Sequence, residues 1–284
     1  MKIIVLGATG MLGNAVMRIL SEMENWKVFG TIRSQKSKLL FETKLSENLI
    51  VCSDLTNFED LSKIFNKINP EIIINCTSIN KELLNQNDPL LMIPIYSLLP
   101  HQLSKLCKAN SSRLIQISSD GVFSGAKGNY IEDDPKDAED IYGLSKFIGE
   151  VEGAHALTIR TSIIGHELES QNGLLEWFLQ QKNQCECFTN AIFSGLPAVA
   201  LAQIIRDVII PKKHLNGIYH IASNPISKCD LLKMIAEVYG LKVKLKNNNN
   251  IKINRSLNAT KFQQDTGFKM PEWIELIKLM HAYK

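Results

Sequence analysis

The chain has 284 residues, 45% of them hydrophobic and 21% charged, with 32 Lys and Arg against 29 Asp and Glu for a net charge of +3. That length suits about two domains at roughly 150 residues each, with ample apolar material for a core. The charges are spread along the chain, which argues against a nucleic-acid or membrane-surface binder, and no apolar run reaches the ~20 residues of a spanning helix.

At the start, Lys2 is followed by only Ile3-Ile4-Val5-Leu6-Gly7, too short an apolar stretch for a signal peptide. The same run, Lys2–Leu6, reads as a strand buried on both faces. Met11, Leu12, Ala15, Val16, Ile19 and Leu20 then recur at helical spacing. Lys27–Ile32 and 49–52 read as further strands. Asn57 can cap a helix lined by Phe58, Leu61, Ile64, Phe65 and Ile68, which Pro70 ends. A fourth strand is expected over 71–75, a helix over 95–109 despite Pro100, a strand over 113–118, a helix over 141–153 and a strand over 156–161. Repeated strand–helix alternation implies a parallel, doubly wound α/β sheet. The second half is less regular. A strand over 217–222, helix Lys228–Tyr239, a solvated turn at 247–250 and a last helix carrying Trp273, Ile274, Ile277 and Met280 are expected. Residues 1–162 make a nucleotide-binding domain, with 196–222 returning to it, and 163–195 and 223–284 form a smaller, interleaved domain. Six cysteines without ligand spacing and scattered histidines read as a reduced, cytoplasmic protein with no structural metal.

The chemistry begins directly after the first strand. Gly7-Ala8-Thr9-Gly10-Met11-Leu12-Gly13 opens a helix, and glycines there permit a tight turn on which a dinucleotide pyrophosphate can lie. A dinucleotide site usually places an acidic residue at the end of strand two to select NAD. Here Arg33-Ser34 stands in that region with Lys36 nearby, so a 2′-phosphate, hence NADP, is expected. Asp54-Leu55 after strand three could meet the adenine amino group, or Asp54 could close an Asx turn. Cys76-Thr77 after strand four would line the cleft. Tyr142-Gly143-Leu144-Ser145-Lys146 puts a phenol and an ammonium on one helix face, and Ser118-Ser119-Asp120 ends strand five. A phenol near pKa 10 must be lowered for acid–base work at neutral pH, and the Lys146 charge would push it that way. Ser119 would hold a substrate carbonyl while Tyr142 donates its proton.

On these motifs the chain resembles an extended short-chain dehydrogenase/reductase, most closely of the dTDP-4-dehydrorhamnose reductase type. The stretch Ile117-Ser118-Ser119-Asp120-Gly121-Val122-Phe123-Ser124-Gly125 resembles that family's Ser-Thr-Asp-Tyr-Val-Phe-x-Gly. Arg160-Thr161-Ser162 and Gly217-Ile218-Tyr219-His220 resemble its Arg-Thr-Ser and Gly-x-Tyr-His. The resemblance implies a Rossmann fold and NADPH-dependent reduction of a 4-keto group on a nucleotide-linked deoxysugar. Ser119, Tyr142 and Lys146 would be catalytic. Gly7, Thr9, Gly10, Met11, Leu12, Gly13, Arg33, Ser34, Asp54, Leu55, Cys76, Thr77, Ser118, Tyr142 and Lys146 would meet the cofactor. Ser119, Asp120, Phe123 and Tyr142 would meet the sugar nucleotide, with Phe193-Ser194-Gly195, His220 and Arg255 as further candidates. Gly121 replaces the family's Tyr, which removes one substrate contact.

Two alternatives stand beside reduction. An epimerase or dehydratase of the same fold would want Asp-Glu after the catalytic hydroxyl residue, where this chain has Asp120-Gly121. A non-catalytic NADP-binding regulatory subunit would not need the full Ser119, Tyr142 and Lys146 set. Whether the chain forms a homodimer is left open by the sequence.

Overall fold

The computed structural model describes residues 1–79, 83, 87–168 and 171–283. Seven strands, β1 (Lys2–Leu6), β2 (Lys27–Ile32), β3 (Leu49–Val51), β4 (Ile72–Asn75), β5 (Arg113–Ile117), β6 (Ala156–Arg160) and β7 (Gly217–His220), form one sheet in the order 3-2-1-4-5-6-7. Every pairing in it is parallel. The order reverses beside β1, so β1 and β4 open a crevice at their carboxyl ends, where ligands of such sheets bind.

Strand pleating divides the core. Ile3 and Val5 join the apolar layer of helix α1 (Met11–Ser21) and of the helix Ala198–Ile204. Ile4 and Leu6 face the opposite layer, built by Leu61, Phe65 and Ile68 of α2 (Phe58–Ile68) and Leu99, Leu103 and Cys107 of α3 (Leu99–Ala109). A sheet covered on both faces must be apolar on both, which is why these strands read as continuous runs rather than alternating ones. Asn57 caps α2 by accepting from the Glu59 and Asp60 amides at 3.0 and 3.3 Å.

Four sequence expectations are corrected. The helix over 95–109 begins earlier, at Pro89–Met92, and passes through a π-helical turn at Ile93–Leu98 before α3. Pro100 follows that turn inside the continuing helix and has no N–H to return to the carbonyl four residues back, that of Tyr96, which belongs to the wider π-helical turn. The helix over 141–153 is shorter: α4 spans Ile141–Ile148. Gly149 meets the Tyr96 carbonyl so closely that a Cβ there would sit 1.7 Å from its oxygen. The solvated turn at 247–250 is in part a strand, Lys244–Asn248, parallel to Gln184–Phe188. Its polarity hid it, since Asn248 donates to Glu186 across the pair at 2.6 Å. Finally, Cys187 and Cys229, 42 residues apart, form a disulfide, while Cys52, Cys76, Cys107 and Cys185 are free and buried. Sequence spacing could exclude a Cys185–Cys187 bridge but could not show which distant residue the fold brings to Cys187. No helix among the described residues is long and apolar enough to cross a membrane.

Candidate active site

The cofactor side is built mostly from backbone. Gly7 takes φ +77°, and its amide donates to Thr31 Oγ1 at 3.0 Å, tying the loop to β2. Gly13 packs against that turn, because a Cβ there would lie 2.0 Å from the Gly7 carbonyl oxygen. Between them, Thr9 and Gly10 lead into α1, whose first turn (Met11, Leu12, Gly13) has no side-chain cap. Its orphan N–H groups are therefore available to an anion. Arg33 and Ser34 lie exposed just past β2. Ser34 Oγ is 3.2 Å from Ser37 Oγ and opens the turn at Gln35–Leu40. Arg33 also helps hold the Asp54 carboxyl below its usual range, after the larger effect of Thr56. A glycine cradle that a Cβ would fill, a helix N-terminus and an exposed guanidinium fit a phosphorylated dinucleotide.

The edge of that cleft is less open than the motifs suggest. Asp54 Oδ1 accepts from the Thr56 amide at 2.8 Å and from its hydroxyl at 2.6 Å, closing the turn expected there, while the residue stays exposed. Leu55 is half-buried beside it. Cys76 is buried, and burial pushes its thiol up to about 12. Thr77 folds back, its amide and hydroxyl both donating to Asn75 Oδ1 at 3.2 and 2.7 Å.

At the carboxyl end of β5 the fold brings Ser119, Asp120, Tyr142 and Lys146 into one neighbourhood. Ser119 Oγ accepts from the Gly121 amide at 3.0 Å and donates to Asp120 Oδ1 at 3.2 Å, and it lowers the neighbouring Tyr142 phenol. Gly121 permits this approach: a Cβ there would stand 2.9 Å from Tyr142 Cε1 and 3.2 Å from Ser119 Oγ. The departure at Gly121 therefore makes room for the ring of Tyr142. Asp140 caps α4, accepting from the Gly143 amide at 2.7 Å, and so fixes the turn that carries Tyr142.

The electrostatics differ from the sequence expectation. Lys146 does not lower the Tyr142 phenol. Burial holds that phenol above its ordinary value, helped by Tyr96, Asp120 and Asp140, with only Ser119 opposing. The Lys146 ammonium instead donates to the Ile117 carbonyl at 3.3 Å and lies 4.3 Å from the centre of the Tyr96 ring. Burial brings it down to about 8, with Cys76 and Glu150 acting the other way. Asp120 is raised by burial to about 6, while Arg255, the Ser119 hydroxyl and Lys228 act the other way. Four-residue spacing showed that Tyr142 and Lys146 share a helix face, not where the long lysine side chain would turn.

Two assigned residues serve the scaffold. Ser118 donates to Glu150 at 2.8 Å instead of facing the cleft. Glu150 in turn holds the fully buried Arg160 through two bonds of 2.7 Å. Phe123 is fully buried, stacked on Tyr130 at 4.1 Å between centroids, so it is a core residue rather than a substrate contact. His220 is likewise buried, bonded to the Tyr130 carbonyl and Arg160, and burial drops it to about 3, which leaves it neutral. Ser194 accepts from the Leu257 amide at 3.0 Å. Phe193 packs against Trp273, and Gly195 presses on the Ser162 carbonyl. Arg255 does reach the site, 3.6 Å from Asp140, and its Nε is buried with no hydrogen-bond partner among the described residues. Two residues near the site were missed: Tyr96, whose position on a helix face looks like core, and Lys228, which precedes a cysteine in an ordinary helix start.

Known proteins bear on this architecture. The chain is 25% identical over 255 residues to methionine adenosyltransferase 2 subunit beta of Xenopus laevis, covering 84% of this chain and 72% of that one. It is 24% identical over 249 residues to the Haloferax volcanii protein described as a probable low-salt glycan biosynthesis reductase, Agl14, covering 83% and 79%. Among solved structures, a dTDP-4-dehydrorhamnose reductase of Bacillus anthracis in complex with NADP superposes with a TM-score of 0.82 at 20% identity, covering 100% of this chain and 98% of that one. A hypothetical dTDP-4-dehydrorhamnose reductase of Sulfolobus tokodaii superposes with a TM-score of 0.79 at 24% identity, covering 96% and 98%. At those identities the structural likenesses speak to the fold, an extended Rossmann-type α/β sheet. Residues 1–283 match the RmlD substrate binding domain family, and the chain belongs to it.

Proposed function

We propose that the protein is an NADPH-dependent oxidoreductase that reduces a keto group, the 4-keto group, on a nucleotide-linked deoxysugar. The observation that carries the reading is the convergence of Ser119, Tyr142 and Lys146 at the carboxyl edge of β5, made possible by Gly121. The NADP complex of the Bacillus anthracis reductase supports the cofactor, and the glycan reductase relative supports a sugar-nucleotide substrate class. The Gly7–Gly13 cradle would hold NADPH, with Arg33 suited to its 2′-phosphate, and the cofactor would supply hydride. Tyr142, kept protonated by its buried setting, gives its proton to the forming alkoxide, and the Ser119 hydroxyl turns from Asp120 to the substrate carbonyl. Lys146 faces Cys76, after β4, on the cofactor side. Residues 163–195 and 223–284 would form the wall that meets the sugar nucleotide, with Arg255 and Asp120 at its inner end. We place the protein in the cytoplasm, where sugar nucleotides are made and used.

The test is a panel of 4-keto-6-deoxy sugar nucleotides, dTDP-, UDP- and GDP-linked, incubated with NADPH and followed by loss of nicotinamide absorbance and product identification. Redox-neutral conversion of an ordinary hexose nucleotide would favour an epimerase or dehydratase. A second reading, a non-catalytic NADP-binding subunit, has one specific observation in its favour: the similarity to methionine adenosyltransferase 2 subunit beta over 84% of the chain. Tight NADPH binding with no turnover on any member of the panel would select it.

A further inference from the structure

Tyr96 is almost fully buried at 2% exposure, yet the reaction as described makes no use of it. It sits in the π-helical turn Ile93–Leu98 that precedes α3. Such turns displace one residue from the regular helical path and often mark functional sites. Three elements meet on this one side chain. Its hydroxyl accepts from the Ile79 amide at 2.9 Å and lies 3.3 Å from Ser78 Oγ, so it anchors the segment after β4 that lines the cofactor cleft. Its ring centre is 4.3 Å from Lys146 Nζ. It also packs edge-to-face with Tyr142, centroids 5.4 Å apart and planes at 88°. The backbone is equally tight: Gly149 leaves room for the Tyr96 carbonyl, and the Ser97 hydroxyl donates to the Ser145 carbonyl at 2.9 Å. The turn is thereby locked to both ends of α4.

We propose that Tyr96 is a positioning residue of the reductase site: its ring face holds the Lys146 ammonium and its contact with Tyr142 fixes the phenol, while its hydroxyl ties both to the β4 segment. The proposal rests on the reductase reading for its consequence in turnover, though not for the geometry itself. The physical case is direct. Lys146 is buried, and its only hydrogen bond among the described residues is to the Ile117 carbonyl at 3.3 Å. The groups that face it are the Cys76 thiol after β4, the Glu150 carboxylate beyond α4 and the Tyr96 ring from the π turn. Neither Cys76, neutral at pH 7, nor the Ile117 carbonyl carries a full negative charge, and Glu150 is already committed to Arg160. The negative face of an aromatic ring is therefore a principal stabiliser of this ammonium, and such contacts strengthen when desolvated. On the other side, Tyr142 faces Tyr96, Asp120, Asp140 and Ser119. Removing the ring would free the phenol to rotate away from Ser119.

The test separates the ring from the hydroxyl. Tyr96→Phe and a graded series of fluorinated phenylalanines at position 96 keep the shape while draining the ring face; Tyr96→Leu removes it. The first readout needs no turnover: the Lys146 side-chain titration followed by NMR, with Lys146→Arg identifying the signal. The wild type should titrate near 8 and Tyr96→Phe close to it. The fluorinated series should fall stepwise, and Tyr96→Leu should drop by about half a pH unit or more. The second readout is the alkaline limb of kcat/KM with NADPH, which should move in the same order. A flat fluorination series overturns the proposal whether or not Tyr96→Leu folds. Graded titration in a protein that turns over no keto sugar upholds the Lys146 assignment and overturns the reductase reading alone.

Discussion

The two sides of the candidate site are built on different principles. The cofactor side is a continuous stretch, Gly7 to Gly13, whose work is done by backbone and by the absence of side chains; Gly13 opposes the Gly7 carbonyl at a distance no Cβ could occupy. The substrate side is assembled from side chains scattered over much of the chain: Tyr96, Ser119, Asp120, Tyr142, Lys228 and Arg255 come from five separate segments. The first kind of site depends on local conformation and tolerates almost no change. The second depends on charges and rings whose mutual placement can shift by small steps, so its chemistry is tunable. The contrast predicts which substitutions should damage cofactor binding, which should damage turnover, and in what order of size.

The largest effect belongs to the substrate side. Tyr142→Phe keeps the ring against Gly121 and Tyr96 but removes the proton donor, so turnover should fall by about 10²–10⁴ with NADPH affinity little changed. Stopped-flow reduction and equilibrium NADPH titration check the two halves. Near-normal turnover would place the proton source elsewhere. Next comes the cofactor side. Gly13→Ala pushes a methyl group into the Gly7 carbonyl, where only backbone can give way. NADPH should bind at least about a hundredfold more weakly, while any residual turnover at saturation stays near that of the parent. An equal loss in saturating kcat would show that the two sides are not separable. Arg33→Ala should be milder: the NADPH-over-NADH preference should drop roughly tenfold to a hundredfold, the loss of one charge-assisted contact. Equal use of both cofactors by the unaltered protein would refute the role of Arg33.

This contrast also explains what was legible in the sequence. The glycine cradle, the strand–helix alternation and the positions of Ser119 and Tyr142 depend on spacing within one element, and spacing is what a sequence displays. Tyr96 and Arg255 act across elements, and nothing local distinguishes Tyr96 from a core residue on a helix face. Phe123 shows the converse. It lies in a family-like segment beside Ser119 and Asp120, but β5 delivers it to the core and stacks it on Tyr130. The sign of the Tyr142 shift was unreadable for a related reason: four-residue spacing brings Lys146 to the same face, and only the fold turns its ammonium toward Ile117 and Tyr96. The Lys244–Asn248 strand was hidden because its composition is that of a turn, and its pairing partner lies some sixty residues earlier.

The pH dependence sharpens the comparison further. Lys146 sits at about 8 in the fold and would return to 10.5 on unfolding. Between those values the unfolded chain binds more protons, so this group makes stability rise with pH across the window. Cofactor-dependent activity should move the opposite way, falling as Lys146 loses its charge above about 8. Thermal melts and kcat/KM measured side by side from pH 7 to about 10.5 should therefore diverge, and Lys146→Met should abolish the Lys146 contribution to both trends. Parallel curves would mean that Lys146 does not control either quantity.

The smallest expected effect tests whether the two glycine devices really differ. Gly121→Ala would place a Cβ 2.9 Å from Tyr142 Cε1, nominally as severe as many backbone clashes. What it meets, however, is a half-buried ring on the first turn of a short helix, and a ring can tilt by a few tenths of an ångström where a carbonyl in a cradle cannot. The tilt shifts the Tyr142 phenol relative to Ser119 without removing either group. Turnover should therefore fall by only about fivefold, the order of a mild overpacking strain, with NADPH affinity unchanged. Adding Tyr142→Phe in the same background should still cost about the 10²–10⁴ in turnover that it costs alone, because the clash is with the ring and not with the hydroxyl. A loss as deep as that of Tyr142→Phe would show that the phenol has no freedom to adjust. The substrate side would then be as rigid as the cofactor side, and the distinction between them would have to be given up.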